Sequence, residues 1–143
     1  MANKDLLDQL DLPIRQKSLA MLACVAQEIK VDMERRISEL GISLLQVNLL
    51  HVLDKAPNGQ LTVNQLKDNM LDETSNVSRT LNKMCDSGLV KKTRSENDQR
   101  VVYITITPQG SKLHKQADKL LLQYENPLNE KESKTLYKLL RKF

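Results

Sequence analysis

The stretch from Asp72 to Gly110, DETSNVSRTLNKMCDSGLVKKTRSENDQRVVYITITPQG, constrains the fold more than any other part of the chain. Its first half is polar except at Val77, Leu81 and Met84, a spacing that puts all three on one face of a helix. Asp72 is a suitable N-cap for that helix, with Ser75 at N3, and Gly88 is a natural stop. Leu89 to Arg94 then reads as a basic strand and Ser95-Glu96-Asn97-Asp98 as a polar turn. Arg100 to Ile106 reads as a return strand, with Val102, Ile104 and Ile106 on one face and Val101, Tyr103 and Thr105 on the other. The sequence therefore predicts a short helix followed by a β-hairpin whose turn is charged.

The flanking segments extend this unit. Thr62-Val63-Asn64-Gln65 has the pattern of a capping box. It opens a short helix that presents Val63, Leu66 and Met70 and is followed by a turn at Leu71-Asp72-Glu73. Two short helices joined by about three residues make a helix-turn-helix, and the hairpin behind it supplies a wing. Ser43-Leu44-Leu45-Gln46 is another capping box, for a helix that buries Val47, Leu49, Leu50 and Leu53 and ends at Lys55 before the turn Ala56-Pro57-Asn58-Gly59. Gln60-Leu61 predicts a one-rung strand. Towards the N-terminus, Asp11 can cap a helix with Pro13 in its first turn. Apolar residues recur at Leu19, Leu22, Ala23, Ala26, Ile29, Met33, Ile37 and Leu40, and Gly41 ends the run. Such a helix is roughly 40 Å long, more than a small chain can cover, so a partner chain is the economical cover. Beyond the wing, Thr107-Pro108 starts a helix reaching about Tyr124, Asn126-Pro127 breaks it, and Asn129 with Glu132 caps a last helix carrying Leu136, Leu139, Leu140 and Phe143.

Charge distribution sharpens the functional reading. The net charge is +4 over 143 residues, which permits nucleic acid without requiring it. Residues 1–60 hold seven Lys/Arg against eight Asp/Glu, whereas residues 74–95 hold five against one and residues 101–143 eight against four. The positive charge thus lies in the helix-and-hairpin segment and the C-terminal helices. Aromatic residues make up 3% of the chain, with no Trp, which argues against a single-strand binder or an RNA-reading sheet that stacks bases on aromatic rings. No apolar run approaches a membrane span and nothing at the N-terminus resembles an export signal, so a cytoplasmic protein without membrane association is expected. Cys24 and Cys85 stand far apart with no CxxC, and neither has a flanking basic residue that plainly lowers its pKa, so both are expected to be reduced, with redox sensing undecided. His51 and His114 have no metal-ligand spacing, so no metal or other cofactor is expected. Nor is there a Gly-rich phosphate loop or nucleophile elbow, so an enzyme is not expected.

Several segments in order resemble the multiple antibiotic resistance regulator (MarR) family of bacterial transcription factors. Ile42-Ser43-Leu44-Leu45-Gln46 with Leu50 and Leu53, and Leu61-Thr62-Val63-Asn64-Gln65-Leu66, resemble its second and third helices. Ser75-Asn76-Val77-Ser78-Arg79 with Leu81 and then Gly88-Leu89-Val90 resembles its recognition helix and the start of its wing. Asp98-Gln99-Arg100 resembles the wing's D-x-R, and Ile106-Thr107-Pro108-Gln109-Gly110 its L-T-x-x-G. The resemblance implies one domain over residues 1–143, mainly α with a small β-hairpin wing. Residues 42–107 would form the winged helix-turn-helix lobe, and residues 11–40 and 108–143 the dimerisation helices. It also implies a homodimer, and a repressor released from DNA by a small aromatic effector or by oxidation.

The residues assigned to DNA follow from how such a lobe meets a duplex. With Val77, Leu81 and Met84 turned inward, Thr74, Ser75, Asn76, Ser78, Arg79, Asn82 and Lys83 lie at the N-terminal end or outer flanks of the recognition helix. These are the positions that meet base edges or phosphates, Asn suiting adenine and Arg guanine. Lys91, Lys92 and Arg94 suit phosphate contacts. In a wing, Arg100 can enter a narrow minor groove, and Asp98 can orient its guanidinium by charge-assisted hydrogen bonds. The expected partner is double-stranded DNA with a roughly palindromic operator. The competing reading is a winged helix that binds protein and not DNA, against which the basic strand and Arg100 weigh.

Overall fold

The computed structural model describes residues 4–70, 76–96, 98 and 100–143. Seven helices and three strands follow the chain among these: α1 (Lys4–Gln9), α2 (Ile14–Ile37), α3 (Leu44–Lys55), β1 (Gln60–Thr62), α4 (Val63–Asp68), α5 (Val77–Asp86), β2 (Val90–Arg94), β3 (Val102–Ile106), α6 (Pro108–Leu121) and α7 (Glu130–Leu140). The mainly α class with a small antiparallel sheet is as expected. No helix among the described residues is long and apolar enough to cross a membrane.

The helix starts are written in side-chain chemistry. Ser43, Thr62 and Asn129 each accept from the N–H of the residue three further on, while Gln46, Gln65 and Glu132 bond back to the cap N–H, so three reciprocal capping boxes form. Each satisfies two donors that the helix itself leaves orphaned. The N-terminal region differs from expectation. Pro13, not Asp11, occupies the N-cap position of α2, and a separate short helix, α1, precedes it. The last turn of the long helix tightens to a 3-10 turn at Ser38–Leu40 and ends on Gly41 in the left-handed conformation, φ 66°, where only a residue without Cβ sits without strain.

The sheet has the order β1-β3-β2, with all neighbours antiparallel. The expected one-rung strand is three residues long and pairs Gln60 with Thr105, Leu61 with Ile104 and Thr62 with Tyr103. It seats the wing against the start of α4. The lobe's core is continuous across these elements: Leu49, Leu50 and Leu53 of α3 meet Leu66 of α4, Val77, Leu81 and Met84 of α5, and Leu89, Val90 and Ile104 of the wing. All ten are at most 4% exposed, so at about 1.5–3 kcal/mol per buried side chain they dominate the lobe's stability. A smaller cluster of Ile37, Val47 and Ala117, with Leu40 and Leu121 packed on it, ties α2, α3 and α6 together.

The wing and α6 meet at a tight joint. The Thr107 hydroxyl donates to the Gly88 carbonyl at 2.8 Å or the Leu89 carbonyl at 3.0 Å, and accepts from the Gly110 N–H at 3.0 Å. A Cβ on Gly110 would lie 2.2 Å from the Leu89 carbonyl oxygen. The Thr-x-x-Gly spacing therefore has a packing cause: Thr caps α6 while Gly lets the helix touch the strand backbone.

Candidate nucleic-acid interface

Helix α5 follows α4 as the second helix of the helix-turn-helix, and its two sides are sharply different. Val77, Leu81 and Met84 are buried in the lobe, whereas Asn76, Ser78, Arg79, Asn82 and Lys83 are exposed. Asn76 stands at the N-cap position, but its side chain makes no capping bond. The described start of the helix is therefore Val77. The expected cap at Asp72 and the candidate DNA contacts Thr74 and Ser75 lie outside the described residues.

The wing adds a second cationic element. Lys91, Lys92, Thr93 and Arg94 are all exposed on the edge strand β2. Register separates them. Lys92 and Arg94 pair with Ile104 and Val102, on the face that also carries the buried core of the lobe, whereas Lys91 pairs with Thr105 and so points to the other face. The Lys92 ammonium donates to the Asn82 side-chain oxygen. The three basic residues expected to act alike on phosphate are thus divided: Lys92 braces the wing against α5, and Lys91 alternates away from Arg94.

At the hairpin tip the Ser95 N–H donates to the Val101 carbonyl and the Val101 N–H to the Asp98 carbonyl, both at 2.9 Å. The Asp98 carboxylate accepts from the Arg100 backbone N–H at 2.9 Å. Asp98 was expected to hold the Arg100 guanidinium. Instead it forms an Asx-type turn on the backbone, and no ion pair joins the two side chains among the described residues. The reason is local. An Asp side chain reaches the N–H two residues on at little conformational cost, whereas an exposed ion pair with a long Arg stem must offset that stem's entropy. Arg100 is exposed and directed by its backbone.

Two features were not foreseen from sequence. His51 of α3 and His114 of α6, which have no metal-ligand spacing in the sequence, meet with Nδ1 and Nε2 3.1 Å apart, and Asp54 and Asp118 flank His114. The spacings His51/Asp54 and His114/Asp118, three and four residues, put each pair on one helix face, but nothing in the sequence joins the pairs. The second feature is a groove of about 770 Å³ along α2, lined by Ala23, Cys24, Gln27, Glu28, Val31, Asp32, Arg35 and Tyr124. At its edge Arg36 and then Arg35 hold the Asp32 carboxyl below the usual carboxylate range. The other thiol, Cys85, sits half-buried near the end of α5, where burial pushes it up from the ordinary thiol range against the opposing charge of Lys92.

Residues 40–101, which run from the end of the 3-10 turn through α3, both helices of the helix-turn-helix, β2 and the hairpin tip, match the MarR family. Over that segment the chain is similar to the MarR family. The HTH-type transcriptional regulator BilQ of Clostridium symbiosum is 30% identical over 70 residues, 46% of this chain and 49% of that protein, so the match spans about half the length of this curated relative. Among solved structures, a mutant MarR from E. coli complexed with operator DNA is 25% identical, with a TM-score of 0.75 over 86% of this chain and 90% of that one. An organohalide-sensing transcriptional regulator in its 2,4-dichlorophenol-bound form superposes with a TM-score of 0.80 at 21% identity, over 92% of this chain and 80% of that one. The last likeness is one of fold.

Proposed function

We propose that this chain is a MarR-family protein: a homodimeric, sequence-specific transcriptional regulator of double-stranded DNA, acting in the cytoplasm as a repressor. The observation that carries the proposal is the exposed polar face of α5, with Asn76, Ser78, Arg79 and Lys83, beside a wing that exposes Lys91, Arg94 and Arg100. An α-helix fits the major groove and a basic hairpin suits the adjacent backbone or minor groove. Asp98 contributes by fixing the turn from which Arg100 projects, while Thr74 and Ser75, just ahead of the described helix, complete the assigned contacts. The E. coli relative complexed with operator DNA supports the same use of the lobe.

Dimerisation is supported by surface arithmetic. The single chain exposes 10904 Å², whereas a compact monomer of 16.3 kDa exposes roughly 7,500 Å². Of the 24 residues of α2 only Ile37 is buried. Leu6, Leu19, Val31, Leu136, Leu139 and Phe143 are exposed large apolar side chains, all in or beside the terminal helices. A second copy covering residues 11–40 and 108–143 removes that surface from water and sets two α5 helices at a fixed separation. The operator is then roughly palindromic, with half-sites about one helical turn, ~34–36 Å, apart.

A small aromatic effector is the proposed signal. The groove along α2, mostly apolar with Tyr124 at one side, suits such a molecule, and the dichlorophenol-bound relative supports it. Oxidation finds no support at Cys85, whose raised pKa disfavours the reactive thiolate.

The test is to select bound fragments from a genomic DNA library with the full chain, then measure affinity for the selected sequence against random competitor. Specific binding that falls steeply with salt is expected. Arg100→Ala should weaken it strongly with the fold intact. Binding no tighter than to random DNA, or affinity unchanged in Arg100→Ala and Arg79→Ala alike, would overturn the proposal.

A further inference from the structure

The His51–His114 cluster belongs neither to the DNA-facing side nor to the groove along α2. It lies where α3, the central helix of the lobe, packs on α6. His114 is 2% exposed, and its Nε2 faces two groups at once: Nδ1 of His51 at 3.1 Å and an oxygen of Asp118 at 3.2 Å. Its other nitrogen, Nδ1, makes no hydrogen bond, with an oxygen of Asp54 3.5 Å away. The second oxygen of Asp54 accepts the Ser111 hydroxyl at 2.8 Å. This hydrogen bond, above all, holds the Asp54 carboxyl below the usual carboxylate range and keeps it an acceptor.

A neutral imidazole has one N–H and one lone pair. With the His114 proton on Nδ1, toward Asp54, the Nε2 lone pair can accept an N–H from His51 Nδ1 but also faces the Asp118 oxygen, which gains no hydrogen from it. With the proton on Nε2, one hydrogen serves two acceptors and buried Nδ1 faces Asp54 with a lone pair. In either state the protein leaves one contact of His114 unsatisfied, and three potential donor atoms meet at the mouth of the cluster, where one cation can take all three.

The donor set and two of its separations suit a particular class of cation. Ligand atoms of His51, His114 and Asp118 all lie within 4.8 Å of one another. In a tetrahedral zinc site, with bonds of about 2.0–2.1 Å to nitrogen and oxygen, neighbouring donors stand roughly 3.3 Å apart. Two of the three donor separations, 3.1 and 3.2 Å, are close to that edge, and the His51–Asp118 separation, within 4.8 Å, reaches it by rotation of the exposed His51 ring or the Asp118 side chain. Two imidazoles and one carboxylate suit a borderline divalent ion and not calcium or magnesium, which prefer oxygen. Asp54 stands behind His114 as the carboxylate that fixes a metal-bound imidazole's tautomer. His51 is exposed and Asp118 half-buried, so the ion has a path in and a fourth position open to water.

We propose that His51 Nδ1, His114 Nε2 and Asp118 form a binding site for one divalent transition-metal ion of the zinc class, with Asp54 as the positioning residue behind His114. A bound ion ties α3 to α6, and so ties the lobe to the helix that leaves it. The site is independent of the DNA-binding reading, because ion binding is measurable on the free protein.

The experiment uses the full chain freed of metal by a chelator. Zinc is titrated against a chromophoric competitor, and cobalt(II) serves as a spectroscopic probe. Saturation at one ion per chain is expected, with a visible d–d band of tetrahedral intensity. His51→Ala and Asp118→Asn touch side chains at the surface and should fold; each should weaken zinc by ~10–100-fold or more, and Asp54→Asn by about 10-fold. Restoration of binding by Asp118→Glu separates a ligand role from a structural one. The proposal is overturned by no saturable zinc or cobalt binding at micromolar ion. Undiminished binding in the His51→Ala/Asp118→Asn double variant also overturns it, as does a cluster whose imidazole NMR signals respond to pH but not to zinc, since it then shares a proton only.

Discussion

Gly110→Ala tests the joint between wing and α6, because two physical effects predict opposite signs there. Gly110 is in the first turn of a helix, and helix propensity alone says that Ala should stabilise it by up to ~1 kcal/mol. The close approach says otherwise. The added Cβ would sit 2.2 Å from the Leu89 carbonyl oxygen and 3.1 Å from Ile106 Cγ1, whereas an ordinary carbon–oxygen contact is about 3.3 Å or more. Relief requires roughly 1 Å of movement by backbone that is already engaged: the Leu89 carbonyl accepts the Thr107 N–H at 3.1 Å and is within 3.0 Å of the Thr107 hydroxyl. Overpacking of this kind costs about 1–3 kcal/mol, and the strained acceptor puts it in the upper half of that range. After the propensity gain, a net loss near 2 kcal/mol remains, or a fall in midpoint of roughly 4–8 °C for a chain of this size. Urea denaturation at fixed protein concentration measures it. A double-mutant cycle with Thr107→Val adds a second check. If the Cβ displaces the Leu89 carbonyl, part of the Thr107 contribution is already gone in Gly110→Ala, and the two losses sum to less than their separate values by about 0.5 kcal/mol or more. A neutral or stabilised Gly110→Ala protein, or strict additivity, would refute the reasoning.

Three further outcomes follow from other contacts. Leu139→Glu with Phe143→Glu places charge on exposed apolar positions of the C-terminal region and should convert dimer to monomer in analytical ultracentrifugation; an unchanged sedimentation coefficient counts against that face. Lys92→Ala removes the brace to Asn82; stability should change by under about 1 kcal/mol, as for exposed pairs, while affinity for operator and random DNA should fall together, as seen by fluorescence anisotropy. Because burial raises the Cys85 thiol above the ordinary range, alkylation at neutral pH, followed by mass spectrometry, should be slower at Cys85 than in the urea-unfolded chain, and equal rates would show the thiol to be freely accessible.

Most of the lobe was legible because its signals are local. Capping boxes at Ser43, Thr62 and Asn129, and the Thr107-Pro108 start, each occupy a few consecutive residues and each forms as read. Alternation along residues 101–106 gave the strand, although Ile104 alone of its apolar face is fully buried. Misreadings arose where geometry depends on which of two partners a side chain takes. Asp98 had a guanidinium and a backbone N–H within reach of its chain position, and the nearer, entropically cheaper one holds it. Lys91, Lys92 and Arg94 look equivalent by composition, but a strand turns alternate residues to opposite faces. Asp11 and Pro13 were both plausible at the start of α2, and the choice shifted the cap by two residues. The His51–His114 pair was invisible because its two halves are joined only by the packing of α3 on α6, 63 residues apart in the chain.

The same packing bears on how rigid the proposed DNA-reading lobe is. The lobe is held by one continuous buried core that runs from α3 through α4 and α5 into the wing, and the Lys92–Asn82 contact braces wing to helix. Moving α5 relative to the wing means opening that core. The lobe's seat on α2 and α6 is built differently: a smaller cluster of Ile37, Val47 and Ala117, Leu113 of α6 packed on the lobe core, and the Thr107/Gly110 joint that locks the wing to the start of α6. If a signal modulates operator binding, the expected place for it is the α2–α3–α6 junction, where two polar ties, Ser111 to Asp54 and His51 to His114, join the lobe to α6.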